Sequence, residues 1–252
     1  MNVHHHLADW RNARLGPDFR GGRLGFVPTM GALHAGHRAL LECARGENER
    51  VVLSIFVNPT QFNDPGDLAK YPRTLEADLE LAAGLVDDVI IPTVADLYPD
   101  DYRYRLVENS LSCALEGAHR PGHFDGVLTV VLKLLSLVRP QRAYFGEKDW
   151  QQLALVRGMA AAFFLQCEIV GCPIVRDPDE LALSSRNRRL SPAGRAQAAA
   201  FPRILRESEN TAIAASALAA AGFEVDYVEQ RDGVRLGAVR LEGVRLIDNV
   251  RI

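Results

Sequence analysis

At 252 residues, 48% hydrophobic and 24% charged, the chain has room for one large α/β domain with a smaller appendage, and enough apolar material for a core without staples. A formal net charge of −3 offers no basic face of the kind nucleic acid requires. Cys43, Cys113, Cys167 and Cys172 contain no C-x-x-C pair, which argues against a zinc site or a redox motif and leaves free thiols in a reducing compartment.

In chain order, Met1 to Trp10 carries histidines where a signal peptide would need an apolar core. With no run of about 18 apolar residues anywhere, no membrane span is expected and the protein reads as cytoplasmic. His4, His5 and His6 are expected on a solvated, frayed start rather than at a metal. The first strand is Leu24 to Val27, followed by a loop with Pro28, Gly31 and Gly36 and then a helix through Arg38 and Leu41. Val51 to Val57 is an apolar, β-branched run, the mark of a parallel strand buried on both faces. The polar stretch 58–74, with three prolines, follows neither period and reads as a functional loop.

Leu75 to Leu85 has helical spacing, Asp88 to Ile91 reads as a strand, and Phe124 to Val138 as an apolar helix closed by Arg139-Pro140. Arg142 to Phe145 is a strand, Trp150 to Phe164 a helix, and Cys167 to Val175 a strand. Alternating strands and helices predict an α/β fold, a Rossmann-like doubly wound parallel sheet. Beyond residue 176 an Ala-rich helical region, Pro192 to Ala221, precedes alternating strands from Phe223 to Asn249. The expected division is a nucleotide- and substrate-binding domain, 1–176, and a smaller C-terminal α+β lid domain, 177–252.

The chemistry-bearing residues cluster where strands give way to helices, the place where open α/β sheets bind ligands. Pro28-Thr29-Met30-Gly31-Ala32-Leu33-His34-Ala35-Gly36-His37 puts two histidines at a helix start, where free backbone N–H groups and the dipole suit phosphate. Gly36 is expected to let a ligand come close. Asn58 and Gln61 follow a buried strand, and neutral amides suit a hydroxy acid. Gly146-Glu147-Lys148-Asp149 opens a helix, with Lys148 as a compact positive charge for phosphate. Ser184, Ser185 and Arg186 supply hydroxyls and a guanidinium, although Ser-Ser-Arg alone also reads as a cap.

H-A-G-H resembles the HxGH signature of the nucleotidyltransferase superfamily, and P-T-M-G-A-L-H-A-G-H resembles its form in the pantothenate synthetase (pantoate–β-alanine ligase) family. The resemblance continues in order through F-V-N-P-T-Q-F (56–62), Y-P-R-T (71–74), R-P-G-H-F (120–124), F-G-E-K-D-W-Q-Q (145–152) and L-S-S-R-N (183–187). It implies ATP-dependent condensation of pantoate with β-alanine through a pantoyl adenylate, with magnesium. It also implies a homodimer without nucleic-acid or membrane partners. Carried over position by position, ATP falls to Pro28, Thr29, Met30, Gly31, His34, Gly36, His37, Gly146, Glu147, Lys148, Asp149, Val175, Leu183, Ser184, Ser185 and Arg186. His34, His37 and Lys148 are the catalytic candidates. Pantoate falls to Gln61 and Gln152 with Asn58, while Arg120 and His123 take a place at the site edge or a structural one. Asp78 stands where the family has an acidic residue associated with magnesium, and equally reads as a surface carboxylate. The rival readings are another HxGH adenylyltransferase, which would need a basic pocket for a phosphorylated second substrate, and a non-catalytic nucleotide-binding descendant.

Overall fold

A computed structural model describes residues 1–19 and 21–252, which divide into two compact units. The first comprises Met1–Leu33, His37–Gly146 and Gln151–Cys172; the second comprises His34–Gly36, Glu147–Trp150 and Pro173–Ile252.

The first unit is built on six parallel strands in the order β1-β4-β3-β2-β5-β6. They are β1 (Asn2–His4), β2 (Leu24–Thr29), β3 (Arg50–Ile55), β4 (Asp88–Ile90), β5 (Arg142–Gly146) and β6 (Glu168–Cys172). Helices α1 (Leu7–Arg14), α2 (Ala35–Glu47), α3 (Pro65–Ala69), α4 (Leu75–Ala82), α5 (Val94–Leu97), α6 (Glu116–His119), α7 (His123–Val138) and α8 (Trp150–Ala162) connect them. Successive strand side chains point to opposite faces, and the core divides accordingly. Phe26 and Val52 pack with Trp10, Leu128, Leu135 and Val156 on one face. Val27, Val51, Leu53 and Val89 pack with Leu41, Ala44 and Ala82 on the other. Both faces are therefore covered, as the continuous apolar run in β3 requires.

Strand order reverses beside β2: the chain goes to β3 and β4 on one side and later to β5 and β6 on the other. The β2–β5 ladder covers only Gly25↔Arg142 and Phe26↔Ala143, whereas β2–β3 runs on to Thr29↔Ile55. Pro28 lies inside β2 rather than in the following loop as expected. It is tolerated because the Thr29 carbonyl accepts from Phe56 N–H on the β3 side. The neighbouring Pro28 backbone then faces β5, where the ladder has already ended and no donor is needed.

The expectation of a frayed N-terminus is corrected. Asn2–His4 pairs in parallel with Asp88–Ile90, and Leu7 and Trp10 are buried. Asp88, itself buried, accepts from Asn2 Nδ2 (3.1 Å) and Arg50 Nε (2.7 Å) and lies 3.0 Å from His4 Nε2. These hydrogen bonds hold the Asp88 carboxyl below the usual range against the opposing effect of its burial. His4 is thus part of a sheet-edge ion cluster; His5 and His6 are exposed.

The second unit holds α9 (Pro192–Ala198), α10 (Ala200–Glu207) and α11 (Thr211–Ala220), three helices where one Ala-rich region was read. Ser191 and Asn210 begin α9 and α11 by accepting from Gly194 N–H and Ile213 N–H. The antiparallel sheet of β7 (Glu224–Arg231), β8 (Val234–Leu241) and β9 (Val244–Arg251) follows. Its hairpins turn at Asp232-Gly233 and Glu242-Gly243, with positive φ at both positions of each, as two-residue I′ turns demand. Phe201, Leu205, Leu218, Val239 and Leu246 make the core of this unit.

Candidate active site

The loop after β2 is fixed from within. Gly31 (φ +79°) and Ala32 (φ +51°) are both left-handed, which turns successive amides the same way. Their target is the buried Asp78 carboxylate on α4. Ala32 N–H donates to Oδ2 (3.0 Å), Leu33 N–H to Oδ1 (2.7 Å) and Thr74 Oγ1 to Oδ1 (3.1 Å). A Cβ on Gly31 would lie 2.9 Å from Asp78 Oδ2, so this close approach needs glycine. Gly31 N–H donates to Thr29 Oγ1 (3.2 Å), which itself donates to Ser54 O (2.7 Å). The amides of Gly31, Ala32 and Leu33 are therefore already engaged. Asp78 is not a surface carboxylate: both its oxygens serve this loop. Among the described residues no group of three or more His, Cys, Asp or Glu is placed to hold a metal. The donor set does not fit a protein-held magnesium at Asp78, and no step below is routed through one.

Next in the first unit are Asn58, which caps the short 3-10 turn Pro59–Gln61 after β3, and Gln61, which ends it. Asn58 is buried and its amide is fully engaged: Nδ2 donates to Gly126 O (3.2 Å) and Gln61 Oε1 (3.1 Å). Its Oδ1 accepts from Tyr98 Oη (2.8 Å) and Thr60 Oγ1 (3.0 Å). Asn58 thus acts on Gln61 rather than presenting an amide of its own. Helix α7 grips the backbone of that turn. A Cβ on Gly126 would lie 2.4 Å from Thr60 O and 2.8 Å from Gln61 N. The Gln61 carbonyl accepts from His123 Nδ1 (2.8 Å) and Arg120 Nη2 (3.3 Å). Because arginine only donates, the 3.0 Å contact between Arg120 Nη1 and His123 Nε2 makes Nε2 the acceptor and Nδ1 the protonated nitrogen. Of the alternatives left open for Arg120 and His123, the geometry favours fastening the Gln61 backbone.

Two adjacent glutamines on α8 have different fates. Gln151 is buried and braces the segment 111–117, in which Leu115 has a φ of +50°, accepting from Glu116 N–H (2.9 Å) and donating to Leu111 O (2.7 Å) and Ala114 O (2.8 Å). Gln152 is half-buried with no side-chain hydrogen bond to described residues, and so remains available to a ligand. A Cβ on Gly146, at the end of β5, would meet nothing within 4 Å.

In the second unit, His34 Nδ1 accepts the Gly36 amide hydrogen (3.1 Å), which leaves Nε2 to carry the proton of the neutral ring. Burial lowers the His34 pKa from its ordinary value. The charges of Lys148 and Arg188 lower it further, and Asp149 opposes them. His34, Lys148, Asp149 and Arg188 are therefore near one another within this unit. Gly36 was read as making room for a ligand; a Cβ there would first meet the His34 ring, at 2.8 Å from Cε1. Lys148 is half-buried with no salt bridge to described residues. The backbone pair Leu183 N–H to Val175 O (2.9 Å) leads into Ser184, whose Oγ accepts from Arg186 N–H (3.2 Å) at the head of the turn Ser185–Arg189. Ser184 thus does cap, while Arg186 is exposed.

Three residues escaped the sequence reading. Tyr98 reaches Asn58, and Gly126 makes room for the turn that carries Gln61. Asn249 donates its Nδ2 to Glu147 O (2.9 Å) and Lys148 O (3.0 Å). Beside it, Asp248 pairs in bidentate fashion with Arg176 (2.7 and 2.9 Å).

Residues 2–251 match the family described as pantoate–β-alanine ligase. The chain belongs to that family. A pantothenate synthetase of Bdellovibrio bacteriovorus is 56% identical over 92% of this chain and 93% of its own length. One from Legionella pneumophila is 49% identical over 99% of both. Among solved structures, a pantoate–β-alanine ligase from Francisella tularensis superposes with TM-score 0.92 at 39% identity, covering 100% of this chain and 97% of that one. Pantothenate synthetase from Thermus thermophilus gives 0.91 at 43%, covering 100% and 99%.

Proposed function

We propose that this enzyme joins the carboxylate of pantoate to the amine of β-alanine at the expense of ATP, through a pantoyl adenylate. The observation that carries the reading is the proximity of Lys148 and Arg188, two cations, to the His34 imidazole in one unit, with the Asp149 carboxylate beside them. The Francisella relative was crystallised with β,γ-ATP and β-alanine, which supports the same substrates here.

A carboxylate is a poor acyl donor because oxide would have to leave. In the first step a pantoate carboxylate oxygen attacks the α-phosphorus of MgATP and the Pα–O bond to pyrophosphate breaks. In the second the β-alanine nitrogen attacks the acyl carbon, the bond to AMP breaks, and the nitrogen gives up its proton. Two anions must meet in the first step, so charge neutralisation and positioning dominate. Lys148 and Arg186 supply positive charge, and the His34 Nε2–H donates to a phosphate oxygen without adding charge. His37, on the first turn of α2, Ser184 and Ser185 complete the ATP contacts. These are joined by the backbone of Pro28 to Gly31, Gly146 to Asp149, Val175 and Leu183. Gln61 and Gln152 take pantoate, whose hydroxyl and carboxylate oxygens match neutral amides better than a basic pocket would.

Magnesium enters with ATP as part of the substrate. A homodimer and a cytoplasmic location belong to this proposal; among the described residues no helix is long and apolar enough to cross a membrane. The deciding measurement is AMP and pyrophosphate formation from MgATP and pantoate, with and without β-alanine. Sustained AMP release only with both acids supports the reading. Nucleotide binding without turnover by folded protein would sink it in favour of a non-catalytic descendant.

A further inference from the structure

The amide of Asn58 cannot flip. Thr60 N–H can only donate and lies 3.4 Å from Oδ1, while Gly126 C=O can only accept and lies 3.2 Å from Nδ2. With Nδ2 thereby assigned as the group facing Gln61, its partner at 3.1 Å must be the acceptor Oε1. The Gln61 Nε2 then points the other way, where its partner is Met30 Sδ at 3.0 Å. A thioether is a weak acceptor, so an incoming oxygen can displace it at little cost.

The chain of bonds begins at Tyr98. Its ring is buried against Phe56 and Tyr102, with the Lys133 ammonium 4.8 Å from the ring centroid. Its hydroxyl donates to Asn58 Oδ1 at 2.8 Å. Burial pushes the phenol up to about 12, so it keeps that proton throughout the neutral range.

We propose that Tyr98 is a positioning residue for the acid substrate: acting through Asn58, it holds Gln61 with its Nε2 hydrogens outward, so that this subsite accepts a hydroxyl or carboxylate oxygen and rejects an ammonium. This rests on the assignment of Gln61 to pantoate.

The test is steady-state kinetics on the full-length enzyme for Tyr98→Phe and Asn58→Asp, with melting temperatures. Tyr98→Phe removes one hydrogen bond and keeps the ring. The expected result is a pantoate KM raised about 3- to 10-fold, the range one neutral hydrogen bond supports, with the ATP KM and melting temperature unchanged. Asn58→Asp turns the Gln61 amide about, and its pantoate KM is expected to rise further than that of Tyr98→Phe. An unchanged pantoate KM in Tyr98→Phe, or equal rises for pantoate and ATP, overturns the proposal even if Asn58→Asp fails to fold. A wild-type enzyme without pantoate-dependent turnover removes the pantoate assignment itself, and this proposal with it.

Discussion

The side-chain amide of Asn249 donates to the backbone carbonyl of Lys148 from 3.0 Å, and to that of Glu147 from 2.9 Å. The last strand of the chain therefore sets the backbone from which the Lys148 ammonium projects. Asp248, one residue earlier, fixes Arg176 and with it the start of the segment that leads through Val175 and Leu183 to Ser184. Removing Asn249 Nδ2 leaves two carbonyls short of a donor, at a cost of about 1–3 kcal/mol for buried groups. Asn249→Ala is expected to raise the ATP KM roughly tenfold and leave the pantoate KM in place. Equal effects on both substrates would show that Asn249 serves the fold alone.

His34 titrates below its ordinary value of 6.5, chiefly through burial and then through Lys148 and Arg188. Between that value and the lower folded one, the unfolded chain binds more protons. The stability linked to this group is therefore complete above about 6.5 and is lost as pH falls through the folded value. The imidazole stays neutral below the pH at which a free histidine would charge. The acid limb of kcat/KM for ATP is expected below pH 6.5. Lys148→Ala should shift the limb of its residual activity upward. A limb at 6.5 in both enzymes contradicts the assignment.

Gly36→Ala tests whether the glycine serves the imidazole. The added methyl would lie 2.8 Å from His34 Cε1 and 2.9 Å from Nδ1. A side chain can swing away, so the fold should survive while the ring leaves its place. A misplacement of about 1 Å costs on the order of 100-fold in rate, and kcat is expected to fall by about that factor with little change in melting temperature. Near-normal kcat in Gly36→Ala would separate catalysis from the His34 rotamer.

Asp78→Asn keeps the shape but turns one acceptor oxygen into a donor against the amides of Ala32 or Leu33. The expected loss is about 1–3 kcal/mol of stability, seen as a lower melting temperature, with the magnesium dependence of turnover unaltered. A weakened apparent magnesium affinity in a stable variant would restore the metal role.

The parallel sheet was legible because buried runs such as Val51 to Val57 and Arg142 to Phe145 carry the composition that burial on two faces selects. The site motifs were legible because they follow such runs. What stayed hidden lay in partners distant along the chain. Asn2 to His4 is too short for a period and becomes a strand only through Asp88, 84 residues from His4. Asp78 reads as a helix-surface acid until the amides 45 and 46 residues earlier turn toward it. Asn249 and Lys148 are 101 residues apart. At Gly36 the structure adds a neighbour that the sequence did not announce, the histidine two positions away.

Gly126 differs from Gly36 in what a methyl would strike. Its Cβ would lie 2.4 Å from Thr60 O, 2.6 Å from Thr60 C and 2.8 Å from Gln61 N, all backbone atoms that cannot rotate aside. Helix α7 or the 59–61 turn must move bodily, and Asn58 Nδ2 loses its 3.2 Å bond to the Gly126 carbonyl as it does so. Overpacking of this kind costs about 1–3 kcal/mol or more, so Gly126→Ala should lower the melting temperature where Gly36→Ala does not. The displaced turn carries Gln61, and the surviving folded enzyme should show a raised pantoate KM with the ATP KM retained. A Gly126→Ala enzyme with wild-type stability and a wild-type pantoate KM would mean that the turn yields freely, and that Gln61 is not held in place by α7.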